Sequence, residues 1–157
     1  DVAGYKIEVD QQGLRWRTDA KPNSEFQIVS ENGDGEQYSS DKKTVAVGLS
    51  VTGSLSDSVK QYLEVDNSVD ALLLLRPDRN LDKSCLQSAE DAVALANKTK
   101  EKIRQFVVKN KAEKLLLFYY GPLSGACFIG HQLNAVCKEI QIMENTSNAY
   151  FPSFLLK

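Results

Sequence analysis

Four short stretches hold residues whose types and spacing could grip a ligand. They are Ser50-Val51-Thr52-Gly53-Ser54, Arg76-Pro77-Asp78-Arg79-Asn80, Tyr119-Tyr120-Gly121-Pro122-Leu123-Ser124-Gly125 and Glu144-Asn145-Thr146. The first and third are small, hydroxyl-bearing and glycine-containing. Each precedes an apolar pattern of helical period, so free N–H groups at a helix start would favour an anion there. The second supplies two guanidinium groups, Arg76 and Arg79, able to hold phosphate by paired hydrogen bonds. Tyr119 and Tyr120 add phenol rings on which a base can stack. The expected ligand therefore carries both phosphate and base. Thr52, Gly53 and Ser54 would meet phosphate or ribose, and Arg76 and Arg79 phosphate. Tyr119 or Tyr120, with the Gly121 turn, Pro122 and Leu123, would offer a base face. Ser124 would donate at the helix start, and Glu144 would read a base edge or a ribose hydroxyl.

Plainer readings stand beside these. Gly53 and Gly121 also fit ordinary turns, and Arg76 and Arg79 also fit solvated loop charges. Strand alternation turns one of the two tyrosines into the core. Catalytic patterns are missing: the sequence has no Walker A lysine, GxSxG or HExxH, and no metal-ligand cluster. His131, the single histidine, falls within a helical pattern without a nucleophile partner, and its expected role is structural or a surface one. The carboxylates are scattered, so no pair is placed for acid–base work. The expectation is a binding module with no catalytic residues, no cofactor and no metal. Asn97-Lys98-Thr99 and Asn145-Thr146-Ser147 match the glycosylation sequon and are read as chance. The run from Lys98 to Lys114 holds seven Lys or Arg against Glu101 and Glu113. It reads as a solvated helix face, or as one that meets an acidic neighbour.

The elements that must position these segments follow from periodicity. Tyr5, Ile7 and Val9 alternate, Gln11-Gln12-Gly13 turns, and Leu14, Trp16 and Thr18 alternate again, which predicts a β-hairpin. Phe26 to Val29 predicts a short strand, and Ser30 to Lys43 a polar loop turning at Asn32-Gly33-Asp34-Gly35. From Thr44 strands and helices alternate. Strands are predicted over Thr44 to Val51, Val69 to Leu75 (stopped by Arg76-Pro77-Asp78), Lys114 to Tyr120 and Glu139 to Met143, with a last extended segment over Tyr150 to Leu156. A helix capped by Ser54 or Ser56 carries Leu55, Val59, Tyr62 and Leu63. A second runs from about Cys85 to Lys109 and a third from Ser124 to Lys138. This order predicts an α/β, Rossmann-like fold: a mainly parallel sheet with helices on both faces, preceded by the N-terminal hairpin. Residues 1–43 would belong to the same domain as the core, 44–157. In such sheets ligands sit beyond the carboxyl ends of the strands, where all four stretches fall.

Composition bounds the rest. One domain of 157 residues, 42% hydrophobic and 25% charged, can bury a core without disulfide or metal staples. A net charge of −2 gives no global basic field for duplex nucleic acid. The longest aliphatic run, Ala71 to Leu75, is far short of the ~18 residues a membrane span needs. Cys85, Cys127 and Cys137 show neither CxxC nor zinc spacing, so buried thiols in a reducing cytoplasm are expected. The start at Asp1 is read as that of a fragment whose missing part could hold the activity.

With those loops in hand, the chain resembles the SAVED domain, a sensor of cyclic oligonucleotides in bacterial CBASS anti-phage systems. The likeness is carried by Leu116-Leu117-Phe118-Tyr119-Tyr120-Gly121-Pro122 followed by Ala126 and Gly130, then by Ile140-Gln141-Ile142-Met143-Glu144-Asn145 and Tyr150-Phe151-Pro152. Upstream, Val45 to Gly53 and Ala71 to Pro77 are similar to the family's first two core strands. The resemblance implies a CARF-related fold and a receptor for a cyclic di- or trinucleotide made by a partner cyclase. It further implies head-to-tail assembly on binding ligand and a fused effector absent from this chain, and the start at Asp1 and the small size lean towards the soluble part of an effector anchored in the inner membrane by transmembrane helices. Many members hold two CARF-like units where one is visible here, which makes a shared site an option. Two other readings are kept. Ser50 to Ser54 before a helix resembles the FMN phosphate loop of flavodoxins, although there that loop follows the first strand. A CARF-like enzyme cleaving the cyclic messenger is the third, since positioning a ribose hydroxyl in line needs no catalytic dyad.

Overall fold

The computed structural model describes residues 5–38 and 41–157, so Asp1 and Ser39-Ser40 of the expected polar loop lie outside the described residues. The chain opens with the hairpin β1 (Glu8–Gln11) and β2 (Leu14–Arg17), which pair antiparallel around Gln12 and Gly13, both at positive φ. That geometry matches the twist of the flanking strands. The remaining strands, β3 (Ile28–Ser30), β4 (Glu36–Gln37), β5 (Thr44–Ser50), β6 (Ala71–Pro77), β7 (Lys114–Tyr120), β8 (Glu139–Thr146) and β9 (Ala149–Leu156), form a single seven-stranded sheet. Its order is β3-β6-β5-β7-β8-β9, with β4 also against β6. The four central strands β6, β5, β7 and β8 run parallel, while β3, β4 and β9 add antiparallel edges.

The central strands are parallel because helices cross over between them. Helix α1 (Ser56–Asp66) links β5 to β6, α2 (Ala89–Lys109) links β6 to β7, and α3 (Leu123–Gln132) links β7 to β8. Alternation along the strands splits the core in two. On one face Val45, Val47, Leu73, Leu75, Leu115 and Leu117 meet α2, α3 and the hairpin's Trp16. On the other, Ala46, Leu72, Leu74, Leu116 and Phe118 meet Val59 and Leu63 of α1. Every residue of β5 is buried, as expected of a strand covered on both sides. The fold is thus the α/β, Rossmann-like architecture read from the sequence, hairpin included. No helix among the described residues is long and apolar enough to cross a membrane.

Several boundaries differ from the sequence reading. Strand β6 runs on through Arg76 and Pro77, because β3 pairs with it there and supplies partners that override the Arg-Pro stop signal. Helix α1 starts after Leu55 and no side chain caps it, so neither Ser54 nor Ser56 is the cap. Helix α2 starts after Ser88, whose hydroxyl accepts from the Asp91 N–H; residues from Cys85 to Gln87 belong to the preceding loop. Helix α3 stops at Gln132, and Ala135 takes a positive φ. Leu133 and Val136 still reach the core, so a turn that folds back satisfies the spacing as well as a helix would.

Candidate functional site

A groove of about 810 Å³ opens at the carboxyl edge of the sheet. Its walls come from the start of α1 (Ser54, Leu55, Ser58), the end of β7 (Tyr119, Tyr120), the flank of α3 (Ala126, Ile129, Gly130) and strands β8 and β9. The groove exists because β8 turns straight into β9 through Ser147 and Asn148, both at positive φ, so that no helix returns to cover the sheet beside α3. Of the residues expected to bind a ligand, Ser54, Tyr119, Tyr120 and Glu144 line this groove.

The end of β7 is held in place from two sides. Tyr119 turns inward and its hydroxyl donates to the Pro122 carbonyl at 2.9 Å, which ties the turn into α3. Burial pushes this phenol's pKa up, with smaller contributions from Cys85 and Cys127. Gly125 makes room for it: a Cβ there would lie 2.2 Å from the Tyr119 hydroxyl. Tyr120 turns the other way and is 53% exposed. Its ring lies against Gly53, where a Cβ would come within 2.4 Å of a ring carbon. The Tyr120 carbonyl accepts from the N–H groups of Val51 and Thr52 at 2.8 and 3.2 Å. The Leu55 N–H donates to Ser50 Oγ at 3.1 Å. The β5–α1 loop is thus strapped to β7, and the Thr52 N–H is spent on the fold, in contrast to the open phosphate cradle of a flavodoxin-like loop.

The two helix starts differ electrostatically. Helix α1 has Asp57 in its first turn, while α3 has no acidic residue there and no side-chain cap. The α3 start is therefore the better place for an anion. Ser124 sits in that first turn, fully buried, and its hydroxyl has no partner among the described residues.

The arginines are not at the groove. Arg79 forms a clamp at the start of α2: Nη1 lies 2.7 Å from Asp91 Oδ2 and 3.0 Å from the Cys85 carbonyl, and the guanidinium stacks 4.5 Å over the Phe26 ring. Asp91 also accepts from Asn23 Nδ2 at 2.8 Å and from the Gln87 N–H at 3.2 Å. Burial alone would raise the pKa of Asp91, but these hydrogen bonds and the guanidinium charge outweigh it and hold the carboxyl below its ordinary value. In this arrangement Arg79, expected to grip phosphate, is paired within the fold and does not line the groove. Arg76 lies on β6 opposite Val29, with Glu31 at 3.8 Å, and does not line the groove. Thr52, Gly53, Gly121, Pro122, Leu123 and Ser124 also stand back from its lining; Gly53 and the Gly121–Pro122 turn act by holding the two tyrosines.

Sequence reasoning missed the β9 wall and its support. Ser58, Ile142, Tyr150, Ser153 and Phe154 line the groove. Tyr150 packs edge-on to Phe118 and Tyr62, with ring centroids 4.9 and 6.0 Å away, and its hydroxyl is 3.1 Å from Ser58 Oγ. One signal was available. Phe151, Phe154, Leu155 and Leu156 follow without polar alternation, yet all remain exposed on an edge strand. His131 Nε2 lies 2.9 Å from the Tyr5 carbonyl and so ties α3 to the N-terminal segment.

Known proteins agree with this architecture. The family model described as SAVED, the SMODS-associated and fused to various effectors sensor domain, matches residues 1–156. CD-NTase-associated protein 4 of Moraxella osloensis is 27% identical over 150 residues, 95% of this chain and 30% of the relative. The protein of the same name from an Acinetobacter species is 25% identical over the same shares. Among solved structures, the Acinetobacter baumannii Cap4 SAVED/CARF-domain containing receptor with the cyclic trinucleotide 3'3'3'-cAAA superposes with a TM-score of 0.77. It is 21% identical, over 96% of this chain and 32% of that one. The Moraxella osloensis Cap4 receptor gives 0.72 at 22% identity, over 98% of this chain and 31% of that one. This chain thus spans about a third of the length of these relatives.

Proposed function

The chain belongs to the SAVED family of sensor domains, and on that premise we propose that it binds a cyclic oligonucleotide in the groove at the carboxyl edge. A cyclic trinucleotide is the first candidate, because the Acinetobacter baumannii receptor of the same fold is described with cyclic trinucleotides. The observation that carries the reading is the half-exposed Tyr120 ring, which shares with Ser54 and Glu144 the lining of a groove walled mainly by apolar and aromatic side chains. An aromatic face stacks any base, and a carboxylate accepts from a base amine or a ribose hydroxyl. The uncapped start of α3 draws a phosphate towards the turn at Gly121 and Pro122.

Binding, not turnover, is the activity we assign to this chain. Among the described residues the groove lining holds no histidine or cysteine and only one carboxylate, Glu144, and the thiols of Cys85 and Cys137 are raised in pKa by burial. The ligand would be made by a partner cyclase, and the output would be assembly that activates a fused effector outside this chain. A membrane-anchored effector is the form to test first, by fractionation of the longer protein.

The test is thermal-shift titration of this chain with cyclic di- and trinucleotides, against their linear forms and FMN. At a ligand concentration of 100 Kd the stabilisation is ~2.7 kcal/mol, which for a domain this size raises Tm by about 5–10 °C. Tyr120→Ala and Glu144→Gln should reduce that rise without lowering the Tm of the free protein. A curve moved by FMN alone, or by linear and cyclic forms alike, sinks the reading. Loss of ligand on overnight incubation would replace it with the messenger-cleaving one.

A further inference from the structure

Helix α3 carries two glycines, and only one of them has a reason inside the fold. Gly125 is required by the Tyr119 hydroxyl, which a Cβ would strike. Gly130 answers to no such neighbour. Its φ is not positive, and the helix ends beyond it, where Ala135 takes the left-handed conformation. Among the described residues, a Cβ built on Gly130 meets nothing within 4 Å beyond its own turns of helix. Alanine would fit there and hold the helix better. What glycine provides instead is bare backbone in the wall of the groove, which Gly130 lines together with Ala126 one turn before it. A flat group can come close to the helix at that point.

The groove bends around the rim of the sheet. Leu55 and Met143 of its lining belong to the core on the α1 side, whereas Leu117 and Ile129 belong to the core on the α3 side. Tyr120 follows Phe118 by two residues and so presents its ring on the α1 side. The α3 side has an exposed aromatic ring of its own. Leu156 opposes Ile140, which packs into the α3-side core, and Phe154, two residues before Leu156, takes the same side. Phe154 lines the groove and is 68% exposed. Its ring leaves apolar surface in water until another group covers it.

We propose that the bare backbone at Gly130 and the ring of Phe154 form a second base seat in the groove, on the opposite side of the sheet from Tyr120. The proposal rests on the cyclic-oligonucleotide reading above and deepens it. One cyclic molecule would stack one base on Tyr120 and a second on Phe154 against α3, its sugar–phosphate ring passing the Gly121–Pro122 turn that ends β7. Side-chain size at position 130 then decides whether the second base fits. A mononucleotide cannot fill both seats.

The test is calorimetric titration of this chain with the cyclic trinucleotide 3'3'3'-cAAA as probe. Gly130→Leu and Phe154→Ala should each weaken binding about tenfold, the first by blocking the base and the second by removing its stacking face. Because both act on one base, the double variant should lose far less than the roughly hundredfold that independent losses would give. Tyr120→Ala combined with Phe154→Ala, acting on different bases, should reach that hundredfold. Gly130→Ala should raise the Tm of the free chain by about 3 °C, and Gly130→Leu should not lower it. The proposal is overturned if either single variant binds like the parent, if the Gly130→Leu and Phe154→Ala losses multiply in full, or if both substitutions at Gly130 lower the Tm, since the glycine would then serve the fold. A changed sedimenting mass of the free Gly130→Leu chain would assign the bare backbone to a protein contact and overturn it too. A parent that binds no cyclic nucleotide sinks the reading of the groove and the second seat with it, whereas a parent that binds while both single variants match it sinks the second seat alone.

Discussion

At the start of α2, the Asp91 carboxylate receives Arg79, Asn23 and a backbone N–H, and Arg79 in turn meets a carbonyl and the Phe26 ring. At the carboxyl edge, Tyr120 and Glu144 present an aromatic face and a carboxylate to an open groove. By residue type alone, the clamp looks like the better phosphate site. The fold reverses that ranking, because a nearly buried carboxylate must be paired and the nearby guanidinium is consumed in pairing it. In the groove Tyr120 and Glu144 stay exposed because no helix follows β8 to cover that part of the sheet.

This contrast can be broken by substitution. The largest effect is expected for Asp91→Ala, which leaves the Arg79 guanidinium without its partner and should cost about 3 kcal/mol. Chemical denaturation of the ligand-free chain measures it, and a loss below about 1 kcal/mol would return Arg79 to the list of free cations. Next comes Gly125→Ala, which drives a methyl group onto the Tyr119 hydroxyl and should cost about 2 kcal/mol. Tyr119→Phe removes that hydroxyl at a cost of about 1 kcal/mol. If the clash is the cause, the double variant should be more stable than the two losses predict. Equal additivity would place the strain elsewhere.

On the groove side, Tyr120→Ala should leave denaturation midpoints nearly unchanged while weakening cyclic-nucleotide binding by about tenfold, the effect of one lost stacking partner. Calorimetric titration separates that from a folding defect. The smallest effect concerns pH. Asp91 has a folded pKa below its unfolded value of ~3.9, so its contribution to stability is full above that value. It is lost as pH falls through the lower folded pKa. Asp91→Asn should flatten the acid limb of a stability profile measured by chemical denaturation.

Much of this was legible in the residues. The apolar runs Thr44 to Ser50, Ala71 to Leu75 and Lys114 to Tyr120 carry the strand signal in their own composition, and the helical spacing between them requires crossovers. The carboxyl-edge rule then located Ser54, Tyr120 and Glu144 without any structure. The β9 wall was not legible: Tyr150 reaches the groove only because a two-residue turn lays β9 along β8 and the Phe118 ring receives it. Nor was the use of Arg79, since Asn23 and Phe26 lie far from Arg79 and Asp91 along the chain.

What the sequence by itself determined is therefore local and periodic: which segments pair, which coil, and which of their faces are apolar, since these depend on neighbours within a few residues. The tertiary structure decided which polar groups are left for a ligand. That depends on whether a buried charge finds its partner across the chain, and on where the last strand leaves the sheet open, neither of which short-range spacing encodes.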